Sequence, residues 1–213
     1  MKLATASLAL STVTFGLILG VAQNAQAVTI ATASTNMGTL NGDLLFTYNG
    51  AGLTGNQHVS SNNNNPTTFW QSQTGTRTGQ ITFNFSQSYE LGGFDFWNLH
   101  GTGNMPNRGI NEVTIEYSND NGLNYSLLTG PGIPTSFAKG ATNTTAPQGP
   151  SNVVTFSPVF ATNIRLNVLS NFGGPGTAST GFNEIKFKSI PEPSASLALL
   201  GLGLAGVGLR KRI

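Results

Sequence analysis

Apolar and polar residues alternate with a two-residue period along several parts of the chain. The alternating stretches are 81–85, 113–117, 164–168 and 185–187. This period is typical of β-strands that bury one face. Two further apolar stretches, 91–99 and 153–160, are also predicted to be strands. No stretch between residues 28 and 190 shows a comparable helical period, so the pattern predicts an all-β fold.

Connecting segments rich in glycine, asparagine and proline separate the predicted strands. Asn121 and Gly122 form a dipeptide that suits a tight hairpin turn. The stretch 129–151 contains four prolines and is too long for a simple hairpin, so we expect it to cross between two sheets. Many short strands separated by turn signals predict a β-sandwich or a barrel.

Composition and charge narrow the classes of function. Only 8% of the residues are charged and glycine accounts for 27 of 213, which argues against a charged disordered chain or a coiled coil. Between residues 28 and 190, six basic residues stand against seven acidic ones. This balance leaves no basic stripe for phosphates, so nucleic acid is not an expected partner. Because the chain has no cysteine, its fold must rest on its own core.

The first 27 residues combine a basic residue, an apolar run and small residues, in that order. Lys2 precedes an apolar stretch from 3 to 19, and Ala25 and Ala27 flank Gln26 in a small-x-small pattern. This order is typical of a helical secretory signal that signal peptidase removes, here after Ala27. The alternative is an N-terminal helix buried in the fold. The signal predicts export through the inner membrane.

The last 23 residues, 191–213, have a second characteristic order. Pro191, Glu192 and Pro193 precede an apolar stretch of fifteen residues, 195–209, and a basic end at 210–212. A helix of this length rises roughly 22 Å, short of a hydrocarbon core of about 30 Å. The basic end would stay on the cytoplasmic side. These features favour a short transmembrane helix that contacts the membrane only temporarily.

The same arrangement closely resembles the PEP-CTERM sorting signal of Gram-negative bacteria. The resemblance covers residues 190–213 and includes all three parts of the signal. It implies recognition by an exosortase, cleavage near the Pro-Glu-Pro motif, and release or attachment at the cell surface or in the extracellular matrix. Such proteins are common in bacteria that make exopolysaccharide.

The middle of the chain, 28–190, carries several short motifs in a particular order. They lie at 63–72, 92–128, 161–166 and 181–187, and they include the sequences Phe-Asp-Phe-Trp-Asn and Val-Thr-Ile-Glu-Tyr-Ser-Asn-Asp. Together the motifs resemble a discoidin, or coagulation-factor type C, domain over roughly 49–189. The resemblance implies a jelly-roll β-sandwich of the galactose-binding-domain-like type.

The resemblance also implies a possible calcium site. Members of this family often hold a structural Ca²⁺ ion between the loop before the Trp-containing strand and a glutamate of the last strand. The matching positions here are Asn63, Asn65, Thr68 and Glu184. Asn63 stands where the family usually has aspartate, so one charge is missing and the affinity for Ca²⁺ should fall. The alternative is that the asparagine run is a polar turn and Glu184 an exposed strand residue.

The loop after the Phe-rich strand offers the side chains that a carbohydrate site needs. Such sites combine an aromatic face with planar polar groups on loops of a rigid scaffold. The candidate residues are Trp97, His100, Asn104 and Arg108. His58 and Phe172 lie in other loops and are secondary candidates.

Two of these candidates have a structural alternative. Trp97 continues an alternating strand, so the alternative is that its side chain belongs to the core. For Arg108 the alternative is an ion pair with Glu112 or Asp95. Exposure of His100, Asn104 and Arg108 together would favour a binding site, whereas burial in ion pairs would favour a purely structural role.

The sequence contains little material for catalysis. It has two histidines and no cysteine, and its few acidic residues are scattered. A glycan hydrolase would need two carboxylates that converge in a cleft. We therefore expect an exported, non-enzymatic protein that binds carbohydrate, with an extracellular polysaccharide as the expected ligand. The alternative is a structural or adhesive matrix protein without specific sugar recognition.

Overall fold

The computed structural model describes residues 27–62 and 66–190. The predicted signal segment up to residue 26, which includes Ala25, lies outside the described residues. So do Asn63 and Asn65, and the sorting segment 191–213 with its Pro-Glu-Pro motif.

The described chain is built almost entirely from β-strands, which confirms the predicted all-β class. The strands are β1 (Ile30–Thr35), β2 (Asn41–Gly42), β3 (Leu53–Thr54), β4 (Gln57–His58), β5 (Trp70–Gln71), β6 (Gly79–Asn98), β7 (Val113–Ser118), β8 (Ser126–Leu127), β9 (Asn152–Val168) and β10 (Gly181–Ser189). Three 3₁₀ helices occupy Leu44–Thr47, Pro106–Arg108 and Gly174–Gly176. In the described part, no helix is long and apolar enough to cross a membrane.

Two long strands, β6 and β9, each take part in both layers of a sandwich. The first half of β6 pairs with β1 and with the second half of β9, which in turn pairs with β7. The second half of β6 pairs with β10 and with the first half of β9, and β10 continues to β5 and β2. Register shifts between Asn84 and Tyr89 and between Leu91 and Gly93 mark the change of layer. The stretches predicted as separate strands at 81–85 and 91–99 are therefore one strand.

Aromatic rings from the two layers meet in the core. Phe83, in the first half of β6, contacts Phe182 and Phe187 of β10 edge to face, with ring centroids 6.4 and 5.6 Å apart. Phe96 stacks on Phe182 at 5.3 Å and on Phe137 at 4.0 Å. Large rings that pack in these geometries contribute most of the buried apolar area. They form the cysteine-free core that the sequence predicted.

The crossover segment 129–151 connects β8 in one layer to β9 in the other, as expected. It packs along several loops on the way: the Phe137 N–H donates to the Asn111 carbonyl at 2.9 Å, and the Gly101 N–H donates to the Ala141 carbonyl at 3.1 Å. Asn121 (φ 61°) and Gly122 (φ 82°) both adopt left-handed backbone conformations, but the predicted tight hairpin is wrong, because eight residues, 118–125, separate the paired residues Tyr117 and Ser126. The crossover brings residues far apart in sequence to the loop end of the sandwich.

Candidate functional site

Asn98, the last residue of β6, organises the loops at one end of the sandwich. Its side chain is buried, and its Nδ2 donates to the carbonyls of Ile110 at 2.7 Å and Ala138 at 3.0 Å. Its Oδ1 accepts from the Ile110 N–H at 2.9 Å. One carboxamide therefore closes the loop 99–110 and attaches the crossover segment to it.

A polar cavity of about 260 Å³ lies in the loops at this end. Its lining residues are Ser61, Asn62, Thr102, Gly103, Asn104, Met105 and Arg108. Asn104 is exposed and Arg108 is half-buried. The volume is slightly below the roughly 300–1,000 Å³ of sites for drug-sized ligands. The cavity therefore suits one small polar unit, such as a single ring of a longer molecule.

The Arg108 guanidinium is held in place by neutral groups. Its Nη1 lies 3.3 Å from Gln71 Oε1, to which it donates, and 4.0 Å from Met105 Sδ. Within residues 27–62 and 66–190, Arg108 takes part in no ion pair. Asp95, one of its suggested partners, instead binds Lys188 at 2.6 Å. Arg108 thus keeps its positive charge uncompensated at the cavity.

Trp97 does not reach the cavity surface. Its side chain is only 1% exposed, and its Nε1 has no hydrogen-bond partner. Because Phe96 points into the core, Trp97 points to the opposite side of the sheet, next to Glu184 of the paired strand. The Lys186 Nζ lies 5.8 Å from its ring centroid. The structural alternative considered for Trp97, an interior position, is the one the structure shows.

His100 is also an interior residue, only 1% exposed. Its Nδ1 lies 2.9 Å from Asn183 Nδ2, and its ring meets that of His58 edge to face at 6.3 Å. Burial, and secondarily the nearby His58, lower the pKa of His100 to about 4. The expected exposed cluster is therefore incomplete, since only Asn104 and Arg108 of the predicted set line the cavity.

Glu184 is fully buried, so its alternative assignment as an exposed strand residue is wrong. Its Oε1 accepts a hydrogen bond from the Gly50 N–H at 3.1 Å, whereas its Oε2 has no partner among residues 27–62 and 66–190. Burial raises the pKa of the carboxyl group to about 8. An unpartnered buried carboxylate oxygen is a group that a cation would satisfy.

Thr68 faces the same short segment as Glu184. A Cβ atom at Gly52, two residues after Gly50, would lie 2.9 Å from the Thr68 Cβ. The described part contains no group of three histidine, cysteine or acidic residues that could hold a metal. A cation here would combine one carboxylate with hydroxyl, amide and backbone oxygens, which are the ligands that Ca²⁺ accepts.

Three residues beside the cavity form a cluster that the sequence reasoning did not assemble. The Lys139 Nζ donates to Asn107 Oδ1 at 2.6 Å and lies 5.8 Å from the ring centroid of Phe172. Asn107 Nδ2 in turn donates to Asn104 Oδ1 at 3.4 Å. In the sequence, the feature that singles out Lys139 is that it is the only charged residue in the stretch 129–151.

Comparison with known proteins identifies both parts of the chain. The F5/8 type C domain model matches residues 31–181, and the PEP-CTERM protein-sorting motif matches residues 189–212. Among solved structures, a GH31 CBM32-2 module bound to GalNAc matches with a TM-score of 0.51 and 14% identity, covering 78% of this chain and 100% of its own. This match shows a shared β-sandwich fold.

Two further solved structures are similar at lower TM-scores. A pectin-binding carbohydrate-binding module has 21% identity and a TM-score of 0.42, and the alignment covers 79% of this chain and 94% of that one. The family 32 module of C. perfringens NanJ, in complex with galactose, has 16% identity and a TM-score of 0.43, with coverage of 74% and 93%. A search of curated proteins gave no match. The chain belongs to the F5/8 type C, or discoidin, family and carries a PEP-CTERM protein-sorting motif at its C-terminal end.

Proposed function

We propose that this protein is exported to the cell surface or extracellular matrix and binds carbohydrate through the cavity that Asn104 and Arg108 line. The observation that carries the proposal is a polar cavity at the loop end of a rigid sandwich, with a planar amide and a guanidinium free of any carboxylate. Planar donors and acceptors of this kind recognise ring hydroxyls, and loops on a fixed scaffold keep them in position.

We expect the two processing sites to lie away from the cavity. Ala27 pairs with Lys188, and the Ile190 N–H donates to the Glu90 carbonyl at 2.8 Å, so the segments before and after the sandwich leave at one end. The strand β10 starts at Gly181, paired with Gly109 beside the cavity. Its nine residues span roughly 30 Å. Signal peptidase and exosortase would therefore act at the end opposite the cavity.

Calcium has a structural role in this proposal. Glu184, Thr68, Asn63 and Asn65 would hold the ion between the loop before β5 and the last strand. The ion would supply the positive charge that the buried Glu184 carboxylate lacks. Glu184 already accepts the Gly50 N–H, so the same residue holds the segment around Gly50 to the sheet.

The proposed activity is binding without catalysis. Glu116 is engaged by Arg165 at 2.7 Å, and Asp95 is engaged by Lys188. The loops that surround the cavity contain no acidic residue to act as a general acid or base. The fold similarity to a GH31 CBM32-2 module bound to GalNAc agrees with a binding role.

A glycan array and an exopolysaccharide pull-down would test the proposal, each run with calcium and with chelator. We expect saturable binding that a free sugar competes, that Arg108→Ala abolishes, and that Lys188→Ala at the opposite end retains. Both variants should keep the melting temperature of the native protein. If no glycan binds under either condition, the carbohydrate proposal fails and a structural matrix role takes its place.

A further inference from the structure

The loops around the cavity carry positive charge and no carboxylate. They comprise residues 49–62, 66–72, 99–111, 138–151 and 169–183, and in these segments the only residues with a permanent charge are Arg108 and Lys139. Elsewhere in the described chain, two of the four cations form ion pairs: Arg165 with Glu116 and Lys188 with Asp95. Glu112 and Glu184 directly follow two of these segments, and within the described residues neither forms an ion pair with Arg108 or Lys139.

Lys139 does not line the cavity itself but is joined to it by neutral groups, through Asn107 and the lining residue Asn104. Its ammonium donates to Asn107 at 2.6 Å and lies near the face of Phe172, and the residue is exposed. A lysine ammonium has three N–H donors, so the bond to Asn107 leaves donors that face solvent. Within the described residues, Lys139 forms no ion pair.

The two cations flank one row of amides. Arg108 lines the cavity together with Asn104, Asn104 accepts from Asn107, and Asn107 accepts from Lys139. Both cations therefore lie beside hydrogen-bonding groups that suit a sugar. A cleft lined by charge of one sign favours ligands of the opposite charge. A neutral sugar would use the hydrogen-bonding groups but not the two positive charges.

We propose that the ligand is an acidic carbohydrate, a uronate-containing polysaccharide, and that Lys139 is the residue that selects for its carboxylate. This inference rests on the proposed carbohydrate-binding function and specifies its substrate class. Arg108 and Asn104 hold one sugar ring in the cavity, and Lys139 contacts a carboxylate at the rim beside Asn107. The flexible lysine stem accommodates carboxylates at different ring positions.

Pairs of oligosaccharides that differ only in charge would test this inference. The probes are oligogalacturonate, an alginate oligomer and a hyaluronan oligomer, each compared with its carboxyl-reduced neutral form by calorimetry on the purified full chain. At least one acidic probe should bind about 10-fold or more tightly than its neutral counterpart, and the difference should shrink at high salt. Lys139→Gln should reduce that preference to about 3-fold or less, whereas Lys188→Gln, the same change at the opposite end, should leave it intact.

The outcomes separate this inference from the proposed function. Equal affinity for the acidic and neutral forms, or binding of neutral glycans alone, would overturn the acidic preference and leave carbohydrate binding standing. An equal loss in Lys139→Gln and Lys188→Gln would overturn the role of Lys139, because it would mean that net charge alone matters. Absence of binding to every acidic and neutral glycan would remove both proposals.

Discussion

Asn98 and Ile110 exchange two hydrogen bonds: Asn98 Nδ2 donates to the Ile110 carbonyl at 2.7 Å, and the Ile110 N–H donates to Asn98 Oδ1 at 2.9 Å. A single buried side chain therefore replaces the strand partner that the backbone of Ile110 would otherwise need. Gly109 fits the same contact, because a Cβ atom there would lie 2.6 Å from Asn98 Oδ1. The shape of the cavity loop depends on this pair.

We expect Asn98→Ala to lower the free energy of unfolding by about 3 kcal/mol, because it leaves several buried backbone groups without partners. Chemical denaturation of the variant and of the native protein would measure the difference. Asn104→Ala, at an exposed position of the same loop, serves as the control and should change stability by less than about 0.5 kcal/mol. Equal stability of Asn98→Ala and the native protein would contradict this account of the loop.

The pKa of His100 predicts a loss of stability in acid. Burial lowers this pKa from 6.5 to about 4 in the folded protein, so the unfolded chain binds a proton first as pH falls. The contribution of neutral His100 is present above pH 6.5 and is lost between 6.5 and 4. The expected slope is up to about 1.4 kcal/mol per pH unit.

His100→Gln would isolate this effect, because glutamine can still accept the Asn183 amide but does not titrate. The unfolding free energies of the native protein and of His100→Gln would be measured at several pH values from 4 to 7.5. The two values should converge in acid, because the native protein loses more stability than the variant. Burial also lowers the pKa of His58, so some acid loss should remain in the variant. Parallel pH profiles would show that His100 does not couple folding to protonation.

Glu184 should make the melting temperature respond to calcium. If Ca²⁺ binds there, an ion concentration 100 times the dissociation constant stabilises the fold by about 2.7 kcal/mol. We expect Glu184→Gln to abolish the increase in melting temperature on adding Ca²⁺ and to cause no loss in chelator, where the buried carboxyl group has no cation. Glu90→Gln, on β6, is the control and should retain the response. An equal loss in calcium and in chelator would mean that Glu184 serves only packing and its bond to Gly50.

The sorting motif predicts the ends of the mature protein. Intact-mass analysis of material released from the cell surface should give a chain that begins at Val28 and ends near Pro191. The basic residues 210–212 should be absent, because they follow the predicted exosortase site. If surface material retains these basic residues, the expected cleavage near the Pro-Glu-Pro motif does not occur.

Local patterning predicted four of the ten described strands, β6, β7, β9 and β10, whereas the continuity of β6 and β9 required the structure. The alternation around Phe83 and Phe94 identifies two stretches correctly, but both belong to β6. The register shifts that bend this strand between layers leave the apolar alternation on either side intact, so the sequence shows two strands. The short strands β2 to β5 and β8 have two residues each, which is too few for a period to be recognised.

The residues of the candidate site also divide into those that the sequence predicts and those that only the structure places. Asn104 and Arg108 could be chosen from the sequence because glycines and polar residues place them on a loop. The burial of His100 depends instead on a distant segment: its carbonyl accepts the Ser61 N–H at 2.9 Å, and its ring meets His58. Lys139 reaches the site only through the crossover. Contacts between segments that are distant in sequence leave no local pattern from which they could be predicted.

The most direct test of carbohydrate binding at this cavity is chemical-shift mapping of the isotope-labelled protein during titration with an oligosaccharide that the array selects. We predict that the largest chemical-shift changes fall on Gly103, Asn104, Met105 and Arg108, with smaller changes at Lys139. Residues at the opposite end, such as Lys188, should not move. Shifts centred on another face of the sandwich, with none in the loop 102–108, would contradict the assignment of the cavity as the binding site.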